Sequence, residues 1–261
     1  MLLPDGRVLV SGGRGADDNV PAPEYWDPQS QSFTAWGEAT SVRPGVRYAP
    51  LPDGRILLVG GRDTEDVSLP SAEVWDPKTG TFEPAGPMAE ARDLPAVTLL
   101  SDGRVLLVGG TEVEAYYSAE VWDPATMTFE PTGWLREGRM DHSATLLADG
   151  RVLIVGGNDQ WFRVPPSPEV WDPATGRFEP TGSPREERVG QHSASLLPDG
   201  RVLVVGGRGL SGASAEVWDP GTGTFAPAGS LNEPREAHTA TPLTDGRVLV
   251  VGGWADDELL G

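Results

Sequence analysis

Short apolar runs recur along the chain, each set in polar, glycine-rich sequence. Val152-Leu153-Ile154-Val155 and Val202-Leu203-Val204-Val205 are typical. They are apolar at every position, which predicts short strands buried on both faces. Before each run lies a second strand-like stretch, as in His142-Ser143-Ala144-Thr145-Leu146-Leu147. After it come two more, as in Ala119-Glu120-Val121-Trp122 and Thr128-Phe129-Glu130-Pro131. The unit therefore reads as four strands, a to d, and no stretch carries a helical period.

These units are phased. Asp-Gly-Arg starts at Asp5, Asp53, Asp102, Asp149, Asp199 and Asp245, with spacings of 48, 49, 47, 50 and 46. Each copy leads through an apolar run to Gly-Gly, ending at Gly13, Gly61, Gly110, Gly157, Gly207 and Gly253. Trp-Asp-Pro follows at Trp26, Trp75, Trp122, Trp171 and Trp218, then a Phe at Phe33, Phe82, Phe129, Phe178 and Phe225. A fixed period of this length marks a repeat architecture. Asp-Gly predicts a type I′ hairpin turn between strands a and b. Asp172-Pro173-Ala174-Thr175-Gly176 predicts a short glycine-containing c–d turn. One four-stranded sheet has two faces to bury, and packing in a ring buries both.

The Gly-Gly after an apolar strand, the period and the later aromatic resemble the kelch family along essentially the whole chain. The resemblance implies an all-β, kelch-type β-propeller of four-stranded antiparallel blades. A WD-repeat reading fails, because the period is too long and the Gly-His partner motif is absent. Residues 1–261 read as one domain with repeats beginning near 5, 53, 102, 149, 199 and 245. Six b strands stand against five c and d strands. The count predicts a six-bladed ring with an incomplete terminal blade, cut short. The alternative is a five-bladed ring with a surplus b strand that leaves an apolar edge exposed.

Composition narrows the function. Asp and Glu number 39 against 20 Lys and Arg, a net charge of −19. Such a surface repels phosphate backbones, which argues against nucleic acid and favours a cationic partner. With no cysteine there is no disulfide framework or thiolate chemistry. The apolar runs are too short to span a membrane. Met1-Leu2-Leu3-Pro4 has neither the basic nor the apolar region of a signal peptide. The compartment is left open.

In an up-and-down blade the a–b and c–d turns lie at one end. The b–c loops and d–a links lie at the other, where length and sequence vary; binding residues concentrate on such loops. Tyr116, Tyr117, Trp161, Phe162 and Trp254 fall in b–c loops and Trp134 in a d–a link, all outside the repeated aromatic positions. They are candidate anchors for a protein or peptide, or they pack loop against loop. Trp36 and Tyr48 read as blade-end packing. Arg43, Arg92, Arg139, Arg188 and Arg235 recur before strand a. They predict either a cationic collar for carboxylates or phosphates, or structural pairs with the strand c glutamates Glu24, Glu73, Glu120, Glu169 and Glu216. The acidic b–c loops read as solvated charge, since none has calcium-loop spacing.

His142, His192 and His238 share one repeat position. They are weak candidates for a zinc or copper site, and a structural hydrogen bond accounts for the same pattern. No cofactor is expected. Among kelch relatives, the copper radical oxidases of the galactose oxidase type use a Tyr crosslinked to Cys, which this chain lacks. Sialic-acid epimerases use a kelch ring too, but no acid–base constellation stands out here. The expected function is a non-catalytic interaction scaffold acting through the b–c and d–a face. The alternatives are a carbohydrate- or carboxylate-binding propeller, sugar-modifying in type, and a fragment or consensus-like repeat array without activity of its own.

Overall fold

The computed structural model describes residues 3, 5–10, 23–35, 44–63, 65–111, 115–159, 161, 163, 167–208, 212–255 and 258–259. Its elements are all strands. Blade 1 holds β1 (Val8–Val10), β2 (Glu24–Asp27) and β3 (Ser32–Ala35). Blade 2 holds β4 (Arg47–Pro50), β5 (Ile56–Val59), β6 (Ser71–Asp76) and β7 (Thr81–Pro87). Blade 3 holds β8 (Ala96–Leu99), β9 (Val105–Val108), β10 (Ser118–Asp123) and β11 (Thr128–Trp134). Blade 4 holds β12 (Ser143–Leu146), β13 (Val152–Val155), β14 (Glu169–Asp172) and β15 (Arg177–Pro180). Blade 5 holds β16 (Ser193–Leu196), β17 (Val202–Val205), β18 (Ser214–Asp219) and β19 (Thr224–Ser230). The hairpin β20 (Thr239–Pro242) and β21 (Val248–Val251) follows, then the short pair β22 (Trp254–Ala255) and β23 (Glu258–Leu259).

Each blade is an antiparallel sheet in sequence order, and β4, β8, β12, β16 and β20 adjoin one another as its inner row. The described chain thus has five blades, one of three strands and four of four, and a two-stranded hairpin where a sixth would stand. Five blades is the alternative count. The preferred count of six is corrected, since without c and d partners the sixth unit is a hairpin and not a blade.

Strand b explains the apolar runs. Its first and third residues face the preceding blade together with the strand c Trp and strand d Phe. Its second and fourth face the following one. At the junction of blades 3 and 4, Leu106 and Val108 meet Val152, Ile154, Trp171 and Phe178. Leu57 and Val59 meet Val105, Leu107, Trp122 and Phe129 in the same way. Each fully buried Trp contributes about 1.5–3 kcal/mol by burial alone. Its indole also ties the blades together: Trp122, Trp171 and Trp218 donate Nε1–H to Ala85 O, Thr132 Oγ1 and Thr181 Oγ1 of the blade before, at 2.9, 3.3 and 3.2 Å.

The Gly-Gly pair is a second seam. The Gly110 N–H donates to Arg139 O of the next blade at 3.0 Å, and Gly157 does the same to Arg188 O at 2.9 Å. A Cβ on Gly156, just before it, would lie 2.5 Å from Arg188 O and 2.8 Å from the His192 ring. Only glycine lets the two backbones approach this closely.

The Asp-Gly turn differs from the type I′ expectation. Gly54 has φ +92°, while Asp53 is not among the left-handed residues. Gly54 N–H donates to Leu51 O at 3.0 Å, and Leu51 N–H to Arg55 O at 2.8 Å. This is a type I turn closed by a left-handed glycine. A type I turn leaves the aspartate right-handed, and its carboxylate takes both the Arg55 N–H and Nε–H at 3.0 and 2.8 Å. In Trp-Asp-Pro the Asp caps the c–d turn: Asp172 Oδ1 accepts the Ala174 N–H at 2.8 Å.

Candidate interaction face

Strand direction puts the ends of strands b and d, and the starts of strands a and c, at one end of the blades. Trp134 is the last residue of β11 and pairs with Ser118 at the start of β10. It is a strand residue and not part of the d–a link as expected, because a register shift in this pair extends β11 past Pro131. The next residue, Leu135, donates its N–H to the Tyr117 carbonyl at 2.8 Å. In blade 4 the Asp159 carboxylate accepts N–H groups from Trp161 and Arg163, both at 2.8 Å, and pairs with the Arg163 guanidinium at 2.9 Å. This tight loop holds Trp161 outward. Trp134 is 71% exposed, Trp161 69% and Tyr117 48%. These three stand on the same end of adjacent blades.

The remaining aromatics differ. Tyr116 is half-buried and covers the Arg92 guanidinium, 5.3 Å from its ring centre. Trp254 is partly exposed and bridges Glu236 in both directions, at 2.9 and 3.0 Å. Phe162, Trp36 and Arg43 lie outside the described residues. Tyr48 is half-buried in the seam between blades 1 and 2.

Arg92, Arg139 and Arg188 are buried, and they pair with Glu120, Glu169 and Glu216 of their own blades at 2.9, 2.8 and 3.1 Å. Arg92 and Arg188 also donate to the first carbonyl of Gly-Gly, Gly109 O and Gly206 O, at 2.7 and 3.0 Å. Each of these guanidinium groups is in the arrangement expected of a structural pair with a strand c glutamate. Burial pushes the Glu169 carboxyl up and the Arg139 guanidinium down, and each one's charge offsets part of the other's shift. Arg235 belongs to the hairpin, which has no strand c, and donates to Gly252 O at 2.9 Å.

Two of the histidines bond to serines across the seams. His192 Nε2 meets Ser143 Oγ at 3.0 Å and His238 Nε2 meets Ser193 Oγ at 2.8 Å, each in the blade before. His142 finds Ala96 at the matching place, and among the described residues neither of its ring nitrogens has a hydrogen-bond partner. Burial lowers all three, His192 to about 3. No group of three His, Asp or Glu suited to a metal ion occurs among the described residues.

One polar group had not been singled out from the sequence. On the inner rim of this face Arg47 donates to Pro95 O at 3.3 Å and reaches Asp141, two blades on, at 3.8 Å. Arg62 holds buried Asp93 at 2.8 Å. Burial raises both carboxyls, and the nearby arginines partly offset this. Asp141 has φ +53°, and Leu94, Gln191 and Ala237 at the same repeat position are also left-handed. The available signal was Arg47 itself, where the other strands a begin with Ala, Ser or Thr.

A sequence model of the family described as Kelch motif matches residues 50–89, which is blade 2 from the end of β4 through β7. The same strand order, seams and turns recur in blades 3, 4 and 5. No curated protein matches the chain.

Proposed function

The chain is a kelch-repeat β-propeller, and from that premise we propose that it is a non-catalytic module that captures a protein or peptide on its b–c and d–a face. A rigid ring of blades with variable loops suits an interaction scaffold in general. The observation that carries the choice of face is the exposure of Trp134, Trp161 and Tyr117 at one end of blades 3 and 4. Large aromatics held in the open by strand ends and a tight loop are the usual anchors of an interface. The net charge of −19 on the chain favours a basic partner.

The test is selection of peptides from a displayed library on the immobilised chain, followed by affinity measurement with variants. Trp134→Ala and Trp161→Ala are each expected to weaken binding by about 1–3 kcal/mol, roughly 5- to 150-fold. Selected peptides are expected to carry Lys or Arg beside apolar residues. Undiminished binding to the double variant would place the interface elsewhere. The carboxylate-binding reading loses its main support, because three of its five arginines are buried in ion pairs.

A further inference from the structure

Asp-Gly is a chemically fragile pair, because glycine has no side chain to shield its own amide nitrogen. That nitrogen can attack the aspartate Cγ. The N–Cγ bond forms, the carboxyl hydroxyl leaves as water with the amide proton, and a succinimide ring closes. Water then adds to either ring carbonyl and opens it. The product is aspartate again, or an isoaspartate whose backbone runs through its side chain. The a–b turns call for glycine all the same: Gly6, Gly54, Gly103, Gly150, Gly200 and Gly246 have φ between +85° and +92°. All six turns engage the reacting groups in the same way. The glycine N–H donates to a leucine carbonyl three residues back, as Gly150 does to Leu147 at 3.0 Å. One aspartate oxygen takes the arginine N–H, as Asp149 Oδ1 does from Arg151 at 3.1 Å. The other takes the guanidinium: Asp149 Oδ2 accepts the Arg151 Nε–H at 2.8 Å, and Nη2 lies 2.7 Å away. The Nε–H contact is 2.8 Å in every turn. Ring closure also needs a hydroxyl to leave, so it draws on the protonated carboxyl. The Arg151 side chain holds the Asp149 carboxyl below its ordinary value, and burial opposes this only in part. The arginine side chain is likewise the main influence lowering Asp5, Asp199 and Asp245.

We propose that the arginine of Asp-Gly-Arg is a chemical guard: its guanidinium clamps the aspartate carboxylate and keeps the Asp-Gly bond from closing to a succinimide. The six turns are then latent isoaspartate sites, opened when the clamp is lost. Closure must first free the carboxylate, so a charge-assisted bond adds to the barrier. Isomerisation would insert one carbon atom into the backbone of a turn closed at 2.8 Å by Leu147 N–H on Arg151 O. It would thereby disturb the register of strands a and b. These turns lie at the end of the blades away from Trp134 and Trp161, so the inference does not rest on the partner-binding reading.

The test is ageing of the folded chain for several weeks at physiological temperature and neutral pH, beside the variants Arg151→Ala and Arg201→Ala. Circular dichroism before ageing checks the fold of each. Peptide mapping, with fragmentation that distinguishes the two linkages, reads isoaspartate at each of the six sites. Arg151→Ala is expected to speed isomerisation at Asp149 roughly five- to tenfold, about the effect of one lost charge-assisted hydrogen bond. Arg201→Ala is expected to do the same at Asp199. The other five sites of each variant serve as internal references and are expected to keep the rate of the intact chain. An unchanged rate at the altered turn overturns the proposal, since the backbone bonds alone would then protect the pair. So does an equal rise at all six sites, which would mean general loosening of the fold and not the loss of a local guard.

Discussion

The Arg139 guanidinium and the Glu169 carboxylate meet at 2.8 Å with both side chains closed to solvent. Glu169 also accepts the Arg136 N–H at 3.2 Å, and the Arg139 carbonyl accepts the Gly110 N–H of the blade before. The pair therefore ties strand c, the d–a link and the preceding blade together. Arg139→Ala leaves a buried carboxylate without its counter-charge, and is expected to cost about 3–5 kcal/mol. The equivalent change at Arg235 removes a carbonyl contact and a loose 3.9 Å approach to exposed Glu233. It is expected to cost about 1 kcal/mol. Urea denaturation midpoints of the two variants check the contrast; equal losses would mean the ion pair is not the source.

Ala96 stands where the next two blades have Ser143 and Ser193. Those serines hold His192 and His238, while the His142 ring nitrogens have no hydrogen-bond partner among the described residues. Ala96→Ser is expected to supply the absent bond and to stabilise the chain by about 0.5–1.5 kcal/mol. Adding His142→Phe should remove that gain, which a double-mutant cycle in thermal or urea unfolding would show.

The histidines also set a pH dependence. The unfolded chain takes up protons near pH 6.5, whereas His192 in the folded state does so at about 3. Between those values the unfolded state binds more protons, so stability falls as pH drops. Asp93 and Asp141, raised by burial, work the other way at the bottom of that window. The decline is therefore expected to begin as the pH falls below about 6.5. Thermal midpoints across a pH series check it, and His192→Gln should flatten the slope.

Gly156→Ala forces a Cβ to 2.5 Å from the Arg188 carbonyl at a residue with φ +64°. The loss is expected to exceed 2 kcal/mol, roughly. Gly80→Ala meets the same backbone demand at φ +73° with nothing within 4 Å, and is expected to cost only about 1 kcal/mol. Comparing their unfolding midpoints separates close packing from backbone conformation.

Much of this architecture can be read in the residues because each blade repeats the same solution. Trp-Asp-Pro foretells a buried indole and a capped turn, and Gly-Gly marks a close approach. The a–b turn was misread because Asp-Gly alone resembles a two-residue hairpin. The decisive feature was the residue before it, Pro52 in blade 2, which opens a type I turn. The Arg–Glu pairs were visible as two residues of equal period, yet periodicity alone does not separate a pair from a collar; burial does. The Arg47–Asp141 contact was not legible, since it joins residues two blades apart and depends on how tightly the inner strands curve.

The seams carry a consequence for how such chains change over generations. The seams from blade 2 to blade 5 draw on fixed positions of the blade before and the blade after: a Gly-Gly, an arginine carbonyl, a Trp and its acceptor. A unit that keeps those positions keeps the partners of both its seams. A duplication or deletion that spans a whole period leaves matching partners on both sides of the cut, while one that spans half a period strands a glutamate or an indole. The loops can then diverge independently above a junction that stays the same.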